Sequence, residues 1–317
     1  MKPEGEEMAN LKIGSRGPDV TILQNRLRAL GFDPGASDGD FGPATQSAVM
    51  AFQTSHGLLP DGIVGPLTAA ALASQQPGAA PTALAFPGFD TSLYPGDSQM
   101  DTWKRTSPYV FAGYYLKSPC HPDASWMGHR AQLVGVGWNL LPIYVGQQVA
   151  GVSRCTKSDL TATAGAADAL DAGAKLTSEG FPSGSYVYLD VERSDSFPAG
   201  LADYISAWVS TITAGGIGPG IYCHLHNAND VRAAVLAALP STVLPPRFWI
   251  VGGVTSQFNL ATSRPADVGV PFADVWQCPA SVSRTFGGDT INIDEDVSQL
   301  SDPAGTNVRP AVAGQAT

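Results

Sequence analysis

The stretch "YVYLDVERSD", residues 186–195, reads as a buried strand that ends in two acids. Side chains alternate faces along a strand. Val187, Leu189 and Val191 then share one apolar face, while Tyr186, Tyr188, Asp190 and Glu192 share the other. Taken alone, such a pair would cap the strand and bind a loop's backbone N–H groups; it points to chemistry only if other strand ends bring further acids to the same place.

Seven more apolar stretches surround it between residues 86 and 300. They are "PGFDTS" (87–92), "FAGYYL" (111–116), "LLPIYVG" (140–146), "GIYCHL" (220–225), "RFWIVGG" (247–253), "DVWQC" (274–278) and "INIDEDV" (291–297). Helical patterns separate several of them. "SDLTATAGAADALDAGAKLTSEG" opens on a capping Ser or Asp, "GLADYISAWVSTITAGG" stops at a Gly pair, and "NANDVRAAVLAALP" stops before Pro. Alternating strands and helices predict an α/β fold, a TIM-like βα barrel whose site lies at the C-terminal strand ends. The connections 254–273 and 279–290 are short and polar, so the last strands are expected to lack full helices.

The strand ends collect acids. Asp90 closes the first strand, Asp190 and Glu192 the fourth, and Asp294 and Asp296 the eighth. Tyr222 and His224 stand at the fifth end, Trp276 and Gln277 at the seventh. Neighbouring like charges raise one another's pKa. A glycosidase needs that arrangement, with one carboxyl protonated as acid and another ionised beside the developing oxocarbenium ion. Trp276 is expected to lay its ring along a sugar trough beside Gln277. Tyr188 is a further substrate-binding candidate, although tyrosines at such positions more often pack. His224 and His226 invite a metal reading, but a site needs three or more converging ligands. No metal and no cofactor are therefore expected. The four cysteines, without CxxC spacing, are free thiols or form one or two disulfides; Cys120 and Cys155 follow strands that should be neighbours, so a bridge there is one of these options, while Cys223 and Cys278 need not meet.

"GFDTS", "YLDVE", "GIYC", "VWQC" and "NIDEDV" follow in order the motifs of family 25 glycoside hydrolases, the muramidase-type lysozymes. With "PIYVGQQ" (142–148), residues 86–300 most resemble the related glycoside-hydrolase-like domains of unassigned function. The resemblance implies a barrel of five full βα units followed by three bare strands. It implies Glu192 as general acid and Asp190 as nucleophile or as orienter of the sugar's 2-acetamido group. Asp90 and Asp294 would shape the subsite at the cleaved bond. Asp296 stands where that pattern has Asn, adding a charge, and the stretch 147–185 is longer than the pattern expects.

At the other end of the chain, "DGDFGPAT" (38–45) recurs as "DGIVGPLT" (61–68). In each, Asp-Gly forms a turn and Gly-Pro leads into a helix. Val20, Leu23, Leu27 and Leu30 share one helical face before the first copy, and Ala48, Val49 and Phe52 one before the second. LQxxL, DGxFGxxT, AVxxFQ and DGxxGxxT in this order resemble the peptidoglycan-binding domain found beside many cell-wall hydrolases, a small three-helix module. The expected organisation is a 1–10 tail, the module at 11–73, an Ala/Pro linker at 74–85, the barrel at 86–300 and a loose tail at 301–317.

Eighteen basic and 28 acidic residues give a net charge of −10, which argues against nucleic-acid binding. No apolar run suggests insertion into a membrane. "MKPEGEEMANLKIG" has no apolar core and is not read as a secretory signal. The sequence is thus read as a monomer acting on peptidoglycan at the cell wall, released by phage-type lysis or exported by another route. Its expected activity is hydrolysis of a β-1,4 glycosidic bond. The alternatives are a glycan-binding barrel without turnover and, less favoured, a metal-dependent amidase or deacetylase.

Overall fold

The computed structural model describes residues 11–30, 32–55, 60–65, 68–69, 71–72, 85–151, 155, 157–193, 195–239 and 244–305. The 1–10 tail, nearly all of the linker and the chain beyond 305 lie outside the described residues. The described residues fall into two compact units, an N-terminal module and a barrel.

In the module, α1 (Pro18–Ala29) and α2 (Pro43–Ser55) are followed by helical residues at Thr68, Ala69, Ala71 and Leu72. Both helices begin at Pro, which fits a first turn where no N–H partner exists. The apolar faces read from the sequence form the core: Val20, Leu23, Leu27, Val49 and Phe52 are fully buried. The repeated loops are held by one device used twice. The buried Gln24 carboxamide donates to Asp38, the Asp40 carbonyl and Thr45, and accepts from the Gly39 N–H. Gln53 does the same with Asp61, the Ile63 carbonyl, Thr68 and the Gly62 N–H. Each Gln satisfies a whole turn from inside, which explains its place in both helix motifs.

The second unit is a barrel closed by eight strands. β1 (Phe86–Asp90), β2 (Phe111–Leu116), β3 (Asn139–Val145), β4 (Tyr186–Val191), β5 (Gly218–His224), β6 (Arg247–Val251) and β7 (Val275–Gln277) run parallel in that order. Helices α3 (Asp97–Thr106), α4 (Arg130–Gly135), α5 (Ala162–Ser178), α6 (Ala199–Ala214) and α7 (Ala228–Ala238) follow the first five. Between β6 and β7 stand only two 3₁₀ turns, Thr255–Gln257 and Pro265–Val268. The five-unit barrel with bare last strands is therefore what forms. α5 opens later than expected, with Thr161 capping Ala164.

Two features correct the sequence reading. The 279–290 connection contains a strand, β8 (Val282–Phe286), which turns at Gly287–Gly288 into β9 (Asp289–Ser298). β9 then runs antiparallel to both β1 and β7 and closes the barrel. Residues 301–305 are also not loose. Pro303 offers its carbonyl to the Tyr188 hydroxyl and Arg247, and Ala304 receives the Tyr186 N–H, at the N-terminal strand ends.

Two cores follow from strand alternation. Val187, Leu189, Val191, Ile221, Ile250 and Val297 face the helices. Phe111, Ile143, Tyr186, Tyr188, Trp249 and Val275 fill the barrel. Its tyrosines lie over glycines of the next strand, Tyr186 on Gly218 and Tyr188 on Gly220, where an added Cβ would meet the ring at 2.6–2.7 Å. A small barrel has room for such rings only beside residues without a side chain.

Candidate active site

The inward residues at the C-terminal strand ends are Asp90, Tyr115, Asp190, Tyr222, His224 and Gln277, and the antiparallel β9 lays Asp294 directly opposite Asp90. Asp90 is buried and anchored on both oxygens. The Tyr115 hydroxyl donates to one at 2.6 Å and Gln277 Nε2 to the other at 2.5 Å. Gln277 in turn accepts from the Tyr222 hydroxyl at 2.7 Å. Asp294 accepts from the Ser281 hydroxyl. Asp190, only 8% exposed, keeps one carboxylate oxygen without a partner. Glu192 is half-buried, one step past the end of β4 on the same face.

The electrostatics are one-sided. Among the described residues none of these carboxylates forms an ion pair. Burial, then the charge of Asp294, pushes Asp90 up to about 7. Burial and the neighbouring Glu192 and Asp90 hold Asp190 well above the usual carboxylate range. Glu192 is raised by burial, against the opposing Arg193 N–H, and Asp294 is raised by burial. Burial and mutual repulsion thus shift each of these acids toward its protonated form.

Of the expected residues, Glu192, Asp190, Asp90, Asp294, Gln277, Tyr222 and His224 are brought to one end of the barrel. Three are not placed as expected. Trp276 faces the outer layer: it is buried, donates to the Gly252 carbonyl and packs edge-on to Phe258. Its neighbours Val275 and Gln277 take the inward positions, so Trp276 has no access to a trough. The tryptophan inside is Trp249. Tyr188 points inward but sits low, its hydroxyl on Pro303 at the far end. Asp296 is fully buried, because an antiparallel β9 carries later residues deeper; it pairs in register with Gly88 and Gln277. Trp249 Nε1 donates to one of its oxygens at 2.9 Å, and the other has no partner.

Sequence reasoning missed Tyr115 and Gln148. Period-two counting from Phe111 gives Tyr115 its inward position. Gln148 lies in a loop, and its contacts with β4 carry no local signal. His224 accepts from the His226 N–H, and among the described residues no three His, Cys, Asp or Glu are grouped to hold a metal ion. Cys120 and Cys155 form a disulfide, while Cys223 and Cys278 are buried free thiols.

Acids from three strands, anchored in part by neutral donors, thus stand at one end of the barrel. Residues 101–298 match the family model "Rv2525c-like, glycoside hydrolase-like domain", and the chain belongs to this family. Residues 16–72 match the putative peptidoglycan binding domain. Over 52 residues the chain is 52% identical to the N-acetylmuramoyl-L-alanine amidase CwlM of Mycobacterium tuberculosis, covering 16% of this chain and 13% of that protein. Over 63 residues it is 49% identical to the zinc D-Ala-D-Ala carboxypeptidase of Streptomyces albus G, covering 18% and 24%. The chain thus spans less than a quarter of the length of these curated relatives. An uncharacterized B. stearothermophilus protein of known structure shares the fold, with a TM-score of 0.50 and 17% identity over 67% of this chain and 95% of that one.

Proposed function

We propose that the protein is a peptidoglycan glycan hydrolase, in which the module holds the wall and the barrel cleaves a β-1,4 bond beside an N-acetylated sugar. The observation that supports this reading is the group of acids without ion pairs, in which the half-buried Glu192 is raised by burial and follows the buried Asp190 at the end of β4. Glu192 keeps a proton and gives it to the leaving oxygen. Asp190 either attacks the anomeric carbon or steadies the acetamido group as that group attacks. In the first case the two carboxyls act at the short separation of retaining enzymes, about 5–5.5 Å, and the product keeps its anomeric configuration. Asp90 and Asp294 hold the ring at the cleaved bond, with Gln277, Tyr222 and His224 beside it. The place of action is the cell wall, outside the membrane.

A second reading is a barrel that binds glycan without turning it over. The burial of Asp190 favours it, since burial disfavours the ionised form that a nucleophile needs. Glu192→Gln separates the two. The hydrolase reading expects cleavage to fall by about 10²–10⁴-fold while wall pull-down persists. Undiminished cleavage in that variant defeats the assignment of Glu192.

A further inference from the structure

The "GQQ" of residues 146–148 has no part in the chemistry above, yet it touches both catalytic candidates. β3 pairs with β4 only as far as Val145 opposite Asp190. Beyond that point the chain turns away at Gly146, where a Cβ would stand 2.4 Å from the Tyr204 hydroxyl and 2.7 Å from Leu189. The end of β4 should then lose its hydrogen bonds on that side. Gln148 supplies them from its side chain. Its Nε2 donates to the Asp190 carbonyl at 2.8 Å, and its Oε1 accepts the Glu192 N–H at 3.0 Å. A carboxamide has the donor and acceptor of a peptide group, so it stands in for the missing strand residue. Gln148 is 2% exposed, so no water replaces it.

Gln148 is itself held by a tied segment. Its N–H donates to the Lys157 carbonyl at 3.0 Å, and the Asp159 N–H donates to the adjacent Gln147 at 3.2 Å. The Lys157 N–H lies on Cys155 Sγ at 3.3 Å, and the Cys120 N–H reaches the Val145 carbonyl at 3.2 Å. The Cys120–Cys155 disulfide therefore joins the segment that fixes Gln148 to the end of β3.

We propose that Gln148 is a positioning residue for the Asp190–Glu192 pair, and that the Cys120–Cys155 disulfide holds the frame in which Gln148 works. This rests on the reading of Glu192 as proton donor. Reduction by a soluble dithiol passes two electrons and two protons to the disulfide. It leaves two cysteine thiols and the reagent as a cyclic disulfide, and it frees the segment at Lys157.

The test uses the full chain as wild type, Gln148→Met and Gln148→Glu, with and without dithiol. It reads peptidoglycan cleavage and the carbon-13 NMR titration of the Glu192 carboxyl. Gln148→Met keeps the shape and removes both bonds. It should lower kcat on the order of 10²-fold with KM nearly unchanged, and bring the Glu192 titration down by about one pH unit as the untied end of β4 lets the Glu192 carboxyl move toward solvent. Gln148→Glu can donate to the Asp190 carbonyl only when protonated, so its activity should return at acid pH alone. Dithiol should move the wild-type titration toward that of Gln148→Met. A Glu192 titration that neither variant nor dithiol moves overturns the proposal. Should wild type cleave nothing, the hydrolase reading fails and the titration still decides the role of Gln148. Should Gln148→Met not fold, Gln148→Glu and the dithiol arm decide it.

Discussion

At the scale of single residues, Asp296 stands where the muramidase-type motif that the sequence resembles has Asn. Asn there would accept from Trp249 as Asp296 does, without a charge to bury. The Asp carries an oxygen with no partner, and burial, then Asp90, holds its pKa well above the usual range. The fold therefore keeps a proton that the unfolded chain releases near pH 4. Between those two pKa values the folded state binds more protons, so this contribution to stability is full below about pH 4 and is lost as pH rises. Asp296→Asn removes one such proton. Thermal melts from pH 4 to 8 should show the variant gaining on wild type as pH rises, by up to about 1.4 kcal/mol per pH unit. Parallel curves would mean that Asp296 is ionised in the fold. The sequence displays the acid and its inward phase, but not its depth. Depth depends on the direction of β9, and a strand reads the same in both directions.

At the scale of elements, alternation served well where strands are long. In β4 it separated Val187, Leu189 and Val191 from Tyr186, Tyr188 and Asp190, and the two cores divide along that line. β7 has three residues, too few to set a phase, so the ring expected along a trough at Trp276 turns to the outer layer instead. β8 was hidden for another reason: Ser283, Arg284 and Thr285 are exposed, and a polar hairpin carries no apolar pattern. Its Gly-Gly turn was the available signal. The placement of Trp276 gives a direct expectation. Trp276→Ala should cost about 3–5 kcal/mol of barrel stability in denaturant unfolding, with KM for glycan near wild type in the folded fraction. A raised KM without loss of stability would return Trp276 to the trough.

At the scale of the whole molecule, the proposed function gives wall holding to one unit and cleavage to the other. Motif order made both legible in the sequence: the repeated turns of the module, and the acids at the ends of successive barrel strands. What was not legible is what long-range contacts decide, such as the Gln24 and Gln53 hubs and the docking of residues 301–305 beneath the barrel. A wall-holding unit raises the local concentration of glycan without altering the barrel's chemistry. Removing residues 1–83 should therefore lower cleavage of insoluble wall by on the order of 10²-fold and leave cleavage of short soluble glycans unchanged. Equal losses on both substrates would show that the module contributes to the site itself. Among the described residues the carboxylates of the acid end form no ion pair, and the meaning of the molecule turns on whether those acids break a sugar linkage. Mass spectrometry of fragments released from purified peptidoglycan asks this most directly. The account predicts new reducing-end sugars from the wild type and none from Glu192→Gln; wall that is bound but yields no reducing ends would contradict it.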